Sequence, residues 1–162
     1  AAKRLAGMGY TLRSGGADGA DTAFENGAGE KKEIFLPWRG FNGRQSRFAE
    51  PSREAQEVAA ALHPVWAKLS PAARKMMSRN AHQILGGDLR SPVNFVVCWT
   101  PDGCSHESER THATGGTGQA IALASRWGIP VFNFARPDAG EQLRDFLAQR
   151  PKVSGADCAT SV

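Results

Sequence analysis

Tyr10-Thr11-Leu12-Arg13-Ser14-Gly15-Gly16-Ala17-Asp18-Gly19-Ala20-Asp21-Thr22-Ala23-Phe24-Glu25 passes from a short β-prone run through a glycine loop into a helix-forming run. Strand, glycine loop and helix in that order gather backbone N–H groups and a helix N-terminus around one point, which favours an anion. The same order recurs further along. Val93–Trp99 (Val-Asn-Phe-Val-Val-Cys-Trp) is a nearly continuous apolar run, the kind buried on both faces of a parallel sheet. A polar stretch from Thr100 to Ala113 leads into Thr114-Gly115-Gly116-Thr117-Gly118-Gln119, and a helix is expected over Ala120–Trp127.

Between and around these units the punctuation is regular. Glu33–Trp38 reads as a strand, followed by a loop rich in Gly and Arg from Arg39 to Arg44. Ala55, Val58, Ala59 and Leu62 keep helical spacing over 51–62, and Pro64 breaks or kinks that helix while Val65, Trp66 and Leu69 extend its apolar stripe. Ser70-Pro71 supplies an N-cap and a first-turn proline for a helix reaching Leu85, closed by Gly86-Gly87. A strand follows over Val131–Phe134, and Asp138 to Glu141 has the form of a capping box on a last amphipathic helix with Leu143, Phe146 and Leu147. Strands alternating with helices predict an α/β fold with a largely parallel sheet flanked by helices. Ligands of such folds bind outside the carboxyl ends of the strands, where both glycine loops fall.

The 162 residues fit one domain, taken as 1–150, with a loose C-terminal tail over 151–162. Ala1–Ala6 reads as the closing turns of a helix, which places a first strand of the sheet upstream of the residues given. Three cysteines are too few for a disulfide framework, and no apolar run approaches the roughly 20 residues that span a bilayer. The expectation is a cytoplasmic protein without membrane partners. Nine Lys/Arg face four Asp/Glu between Arg39 and Arg90, so the middle carries +5 and the remainder −1. Such a segment faces either phosphates or solvent.

Glycine lets the chain approach a phosphate closely and adopt positive φ, and the dipole of the following helix favours negative charge. Neither loop carries the lysine of a P-loop, and neither is a G-x-G-x-x-G dinucleotide fingerprint. Ser14 and Thr117 are candidate hydroxyl donors to phosphate, Arg13 a candidate counter-charge, and Gln119 a candidate contact to base or sugar. Asp18 and Asp21 either orient a ribose hydroxyl, water or amine, or cap the following helix and favour its first turn.

Ser14–Asp21 resembles the S-G-G-A-x-G-I-D loop of the DNA-processing protein A (DprA/Smf) group. Thr114–Gly118 resembles the P-G-G-x-G-T loop of the LOG group of phosphoribohydrolases. Both groups belong to the SLOG superfamily of Rossmann-like nucleotide-ligand domains, and the resemblance covers about Tyr10 to Phe134. Met76-Met77-Ser78-Arg79-Asn80 is similar to the M-H-x-R-K segment of LOG enzymes, which implies a catalytic or phosphate-binding role for Arg79. Asn80 replaces that segment's lysine. The G-T-x-x-E glutamate has no counterpart, because Gln119, Ala120, Ile121 and Ala122 follow Gly118. A carboxylate there would assist an oxocarbenium-like centre. The resemblance therefore implies nucleotide binding more than hydrolysis, and a homodimer through helices beside the site, for which the stripe with Trp66 is a candidate.

Trp38, Trp99 and Phe41 lie at or just beyond strand ends, where a base can stack, with a place in the core preferred for Trp99. Cys98, Cys104, His106 and His112 lack the paired spacing of a zinc site, so no metal and no cofactor is expected. Glu107 and Glu109, with His106 and His112, sit in the polar loop before the second glycine run. The loop is either a plain surface excursion or a lid, and as a lid it would return the missing carboxylate, which makes Glu107 and Glu109 the candidate catalytic partners of Arg79. Three functions follow in order of preference. They are a domain that senses or sequesters a nucleotide-derived small molecule through Arg13, Ser14, Gly15, Gly16, Asp18, Gly19, Asp21, Trp38, Thr114, Gly115, Gly116, Thr117, Gly118 and Gln119; a nucleoside monophosphate phosphoribohydrolase; and a single-stranded DNA binder.

Overall fold

The computed structural model describes residues 1–150 and 157–162. Strands β1 (Thr11–Ser14), β2 (Lys32–Leu36), β3 (Phe48–Ala49), β4 (Phe95–Cys98), β5 (Val131–Asn133) and β6 (Cys158–Ser161) form one sheet in the order β3-β2-β1-β6-β4-β5. Every neighbouring pair is parallel. The helices are α1 (Ala2–Gly7), α2 (Ala20–Ala28), α3 (Arg53–Leu62), α4 (Pro71–Leu85), α5 (Thr117–Arg126) and α6 (Ala139–Ala148). The fold is α/β and Rossmann-like, as expected from the alternation of strands and helices.

The period of two in β4 decides the layering. Val96 and Cys98 join the core under α3, α4 and α5, with Ala55, Ile84 and Ile121. Phe95 and Val97 point to the opposite core, with Leu5 of α1 and Leu143 of α6. Phe95 anchors that second core, its ring edge-on to Tyr10 at 5.2 Å and to Phe146 at 5.7 Å. Ser70 caps α4 by accepting from the Ala73 amide, with Pro71 opening the helix. Ser52 does the same for α3 through the Ala55 amide. Among the described residues no helix is long and apolar enough to cross a membrane.

The structure departs from the sequence expectations at three places. The C-terminal tail is not loose where it is described: β6 lies between β1 and β4, pairing Arg13 with Thr160 on one side and Val96 with Thr160 on the other. Residues 151–156, also assigned to the tail, lie outside the described residues. Cys-Ala-Thr-Ser is too short and mixed to signal a strand, yet two parallel neighbours satisfy its backbone, and small side chains suit the middle of a sheet covered on both faces. β1 is thereby paired on both sides, by β2 and β6. α3 ends at Leu62, as expected, with the chain broken at Pro64 before a separate 3-10 turn over Trp66–Lys68. α5 starts at Thr117, three residues earlier than expected, because the last glycines of the loop already adopt helical backbone. Asp138 makes no capping bond; its carboxylate accepts instead from Gln142 at 2.8 Å.

Candidate functional site

β1 leads outward to β2 and β3, while β4 leads the other way to β5, so the sheet has a topological switch point between them, bridged by β6. Beyond the carboxyl ends of these strands lies a cleft of about 470 Å³, lined by Ala17, Asp18, Gly19, Asp21, Trp99 and Thr117 among others. This is where open α/β sheets hold ligands. The two glycine loops flank the cleft, and the N-termini of α2 and α5 both open into it.

The first loop is held from beneath. Asp21, in the first turn of α2, turns its carboxylate back to accept from the Gly15 amide at 3.2 Å and the Ala17 amide at 3.0 Å. Its other oxygen accepts from the Ser161 hydroxyl at 3.0 Å. The amides expected to meet a ligand phosphate thus already hold an anion of the chain itself. Arg79, only 6% exposed, donates to the Gly15 carbonyl and stands 3.9 Å from Asp21. Burial raises the Asp21 pKa above the ordinary carboxylate value despite the attraction of Arg79, and burial likewise lowers that of Arg79. Desolvation outweighs the pairing for both partners. Ser14 donates its hydroxyl to Glu25 at 2.6 Å, and Glu25 pairs with Arg44 at 3.2 Å. Gly19, at φ +93°, is the N-cap of α2 and leaves the capping position without a side chain, so Asp18 remains exposed at the cleft.

The second loop is organised by Asp102, which sequence reading passed over. Its carboxylate accepts from the hydroxyls of Thr100 at 2.7 Å, Thr111 at 2.6 Å and Thr114, and from the Cys104 amide at 3.3 Å. These donors, the Thr111 hydroxyl first, hold its carboxyl far below the usual carboxylate range. Asn133, at the end of β5, ties the same turn to the sheet by donating to Thr100 at 2.6 Å and to the Cys104 carbonyl at 2.7 Å. Gly118 lies under Arg110, whose Nε would be 2.9 Å from an added Cβ. The Gly115 amide is taken by His112, but the amides of Gly116 and Thr117 and the Thr117 hydroxyl have no acceptor among the described residues. Those donors are available to a ligand.

Because Asp102 is bound as a carboxylate, its contribution to holding the loop is complete above the ordinary Asp value of 3.8 and disappears as pH falls through its depressed folded value. Asp102→Ala is expected to speed hydrogen exchange of the amides from Gly103 to Gly116 while leaving the β4 amides protected. Unchanged exchange in that loop would remove Asp102 from this role.

The other site expectations fare unevenly. Arg13 is buried, paired with Glu33 at 2.9 Å and donating to the Ser91 carbonyl at 2.5 Å, so it does not face the cleft. Gln119 is buried and donates to the Ala59 carbonyl of α3 at 2.8 Å, away from any base or sugar. Glu107 is bound by Arg126 at 2.7 Å. Arg126 closes α5, and nine residues of helix put its backbone roughly 13 Å from Thr117. Glu109 is bound by Arg136 at 2.8 Å and accepts from the Ser105 amide at 2.9 Å. Neither glutamate lines the cleft, so the lid reading brings back no carboxylate. Trp38 is half-buried with its ring edge-on to Phe41 at 5.1 Å, also outside the cleft lining. Trp99, assigned to the core, is 56% exposed at the cleft instead. Its strand is buried through Cys98, whose thiol burial pushes up to about 12, and the next residue already clears the sheet.

Adjacent residues of α4 brace both loops. Arg79 holds the Gly15 carbonyl and Asn80 donates to the Gly116 carbonyl at 3.3 Å. Trp66, the candidate dimer residue, is half-buried against Arg74, whose guanidinium lies 5.7 Å from its ring. No family model, curated protein or solved structure matches this chain.

Proposed function

We propose that this chain binds a nucleotide or nucleotide-derived small molecule in the cleft between its glycine loops, as a sensor or sequestering domain. The observation that carries this reading is the exposed Trp99 ring set between the N-termini of α2 and α5. An anionic group is placed on the free amides of Gly116 and Thr117, with the α5 dipole and the Thr117 hydroxyl behind them. A flat base stacks on Trp99, and Asp18 accepts from a sugar hydroxyl. The first loop serves as a wall, its Gly15 and Ala17 amides being held by Asp21.

Hydrolysis has less behind it, because Arg79 lies behind the first loop and does not line the cleft, and Glu107 and Glu109 are bound to arginines outside it. Nucleic-acid binding has less as well. Of the cations between Arg39 and Arg90, Arg44 and Arg79 pair inward with Glu25 and Asp21.

Native mass spectrometry with a panel of nucleoside mono- and diphosphates tests the reading. An adduct of intact nucleotide mass is expected, and Trp99→Ala is expected to weaken it about tenfold or more, since base stacking is worth ~1–3 kcal/mol. No adduct across the panel, or release of free base, would overturn the proposal.

A further inference from the structure

A second cavity, of about 210 Å³, opens at the β3 edge of the sheet and belongs to neither glycine loop. Its wall includes Phe35, Phe48, Arg47, Glu50, Ser52 and Arg79. Phe35 and Phe48 lie 4.7 Å apart and make an apolar floor, extended by His82, which stacks on Phe35 at 5.7 Å. His82 itself is occupied, its Nε2 accepting from the Ser52 amide at 3.1 Å and its Nδ1 facing the Gly86 carbonyl at 3.0 Å.

Three donors in this wall are unspent. Arg79 Nε is buried without a hydrogen-bond partner among the described residues. A buried donor left in that state costs free energy that a ligand acceptor would recover. The Ser52 hydroxyl accepts from the Ala55 amide, but its own proton has no acceptor among the described residues. Arg47 lies with its guanidinium 4.6 Å over the Phe48 ring and is exposed on its outer side. Arg79 already has Asp21 across from it, so Arg47 supplies the charge that a bound anion would see. Glu50, exposed at the same wall, disfavours a doubly negative guest.

We propose that this cavity is a binding site for a small organic monocarboxylate, its carboxylate on Arg79 Nε, Ser52 and Arg47 and its apolar body on Phe35 and Phe48. Phosphate lacks the apolar body and carries more charge past Glu50. Through Arg79 the occupant would touch the residue that holds the first glycine loop.

Benzoate is the probe, titrated at constant ionic strength while the Arg79 Nε–H signal, identified by its proximity to the Gly15 backbone, is followed by nitrogen-15 NMR. A saturable shift is expected in the native chain and in Trp99→Ala, which leaves this cavity intact. Arg47→Gln, a change at an exposed side chain, is expected to weaken binding roughly tenfold through loss of a charged contact. A signal that never moves, one that moves equally with inorganic phosphate or in Arg47→Gln, or binding lost in Trp99→Ala would each overturn the assignment.

Discussion

Gly15→Ala is expected to cost the chain its stable fold. A Cβ at Gly15 would fall 1.5 Å from Nη1 of Arg79 and 2.8 Å from Oε1 of Gln83. A long side chain usually yields to such a clash by swinging aside. Arg79 cannot do so cheaply, because its guanidinium is buried, bound to the Gly15 carbonyl and set against Asp21. Moving it would leave the Asp21 carboxylate buried without its cation. Gln83 is likewise held, donating to the Ser161 carbonyl of β6 at 2.8 Å. Overpacking of about 1–3 kcal/mol adds to the loss of a buried pair, about 3–5 kcal/mol, and together these rival the ~5–15 kcal/mol of a typical domain. Gly19→Ala is the comparison. It meets nothing within 4 Å, and only its backbone conformation, φ +93° and ψ −120°, resists a side chain, so a cost of about 1–3 kcal/mol is expected. Urea unfolding of the two variants checks this, and a Gly15→Ala transition no lower than that of Gly19→Ala would show that Arg79 does not pack as described.

Arg79→Met is the second large effect, and its pH dependence is diagnostic. Methionine keeps much of the length and none of the charge, so Asp21 becomes a buried carboxylate with no cation beside it. Truncating one partner of a buried pair costs about 3–5 kcal/mol at neutral pH. The Asp21 pKa is already raised by burial in the native chain, and losing Arg79 raises it further. A folded-state pKa above the unfolded one contributes stability that is complete below the unfolded value and lost as pH rises through the folded value. The deficit of Arg79→Met relative to the native chain is therefore expected to shrink on acidification toward the ordinary Asp value of 3.8 and to be largest well above it. Asp21→Asn added to Arg79→Met is expected to remove most of that pH dependence, since no ionisable group remains in the pair. A deficit that is flat with pH would mean that the effect is loss of packing rather than an unpaired charge. Both substitutions also bear on the reading of Arg79, which acts as an internal brace rather than a group facing the cleft.

Much of the scaffold was legible from local pattern. The alternation of β-prone and helical runs, the Ser70-Pro71 start and the apolar run into Cys98 each depend on neighbours a few residues away, and the structure keeps them. The position of both glycine loops at one edge follows from the same alternation, because parallel strands end on the same side. Less of the site was legible. Ser14, Arg13 and Gln119 are polar residues next to glycines, and pattern alone ranks them as ligand contacts. In the fold, each is spent on a partner within the chain: Glu25, Glu33 and the Ala59 carbonyl respectively. Asp102 gave one usable sign, a carboxylate among the threonines 100, 111 and 114, but their convergence needs the turn to close.

From the amino-acid pattern, the class of fold, the order of the strands and helices up to Ala148 apart from β3, and the placing of both glycine loops at one edge of the sheet could all be read. Those properties arise from period, capping and turn chemistry, which act within a few residues. Which groups are free there depends on contacts between distant parts of the chain. Ser161 reaches Asp21 across 140 residues of chain, and Arg79 reaches the Gly15 carbonyl across 64. β6 entered the sheet because two strands distant in sequence left a parallel place with unpaired backbone groups between them. Desolvation is a property of surroundings rather than of a residue. It turned an arginine expected to meet substrate into a buried brace and left Trp99, expected in the core, exposed at the cleft.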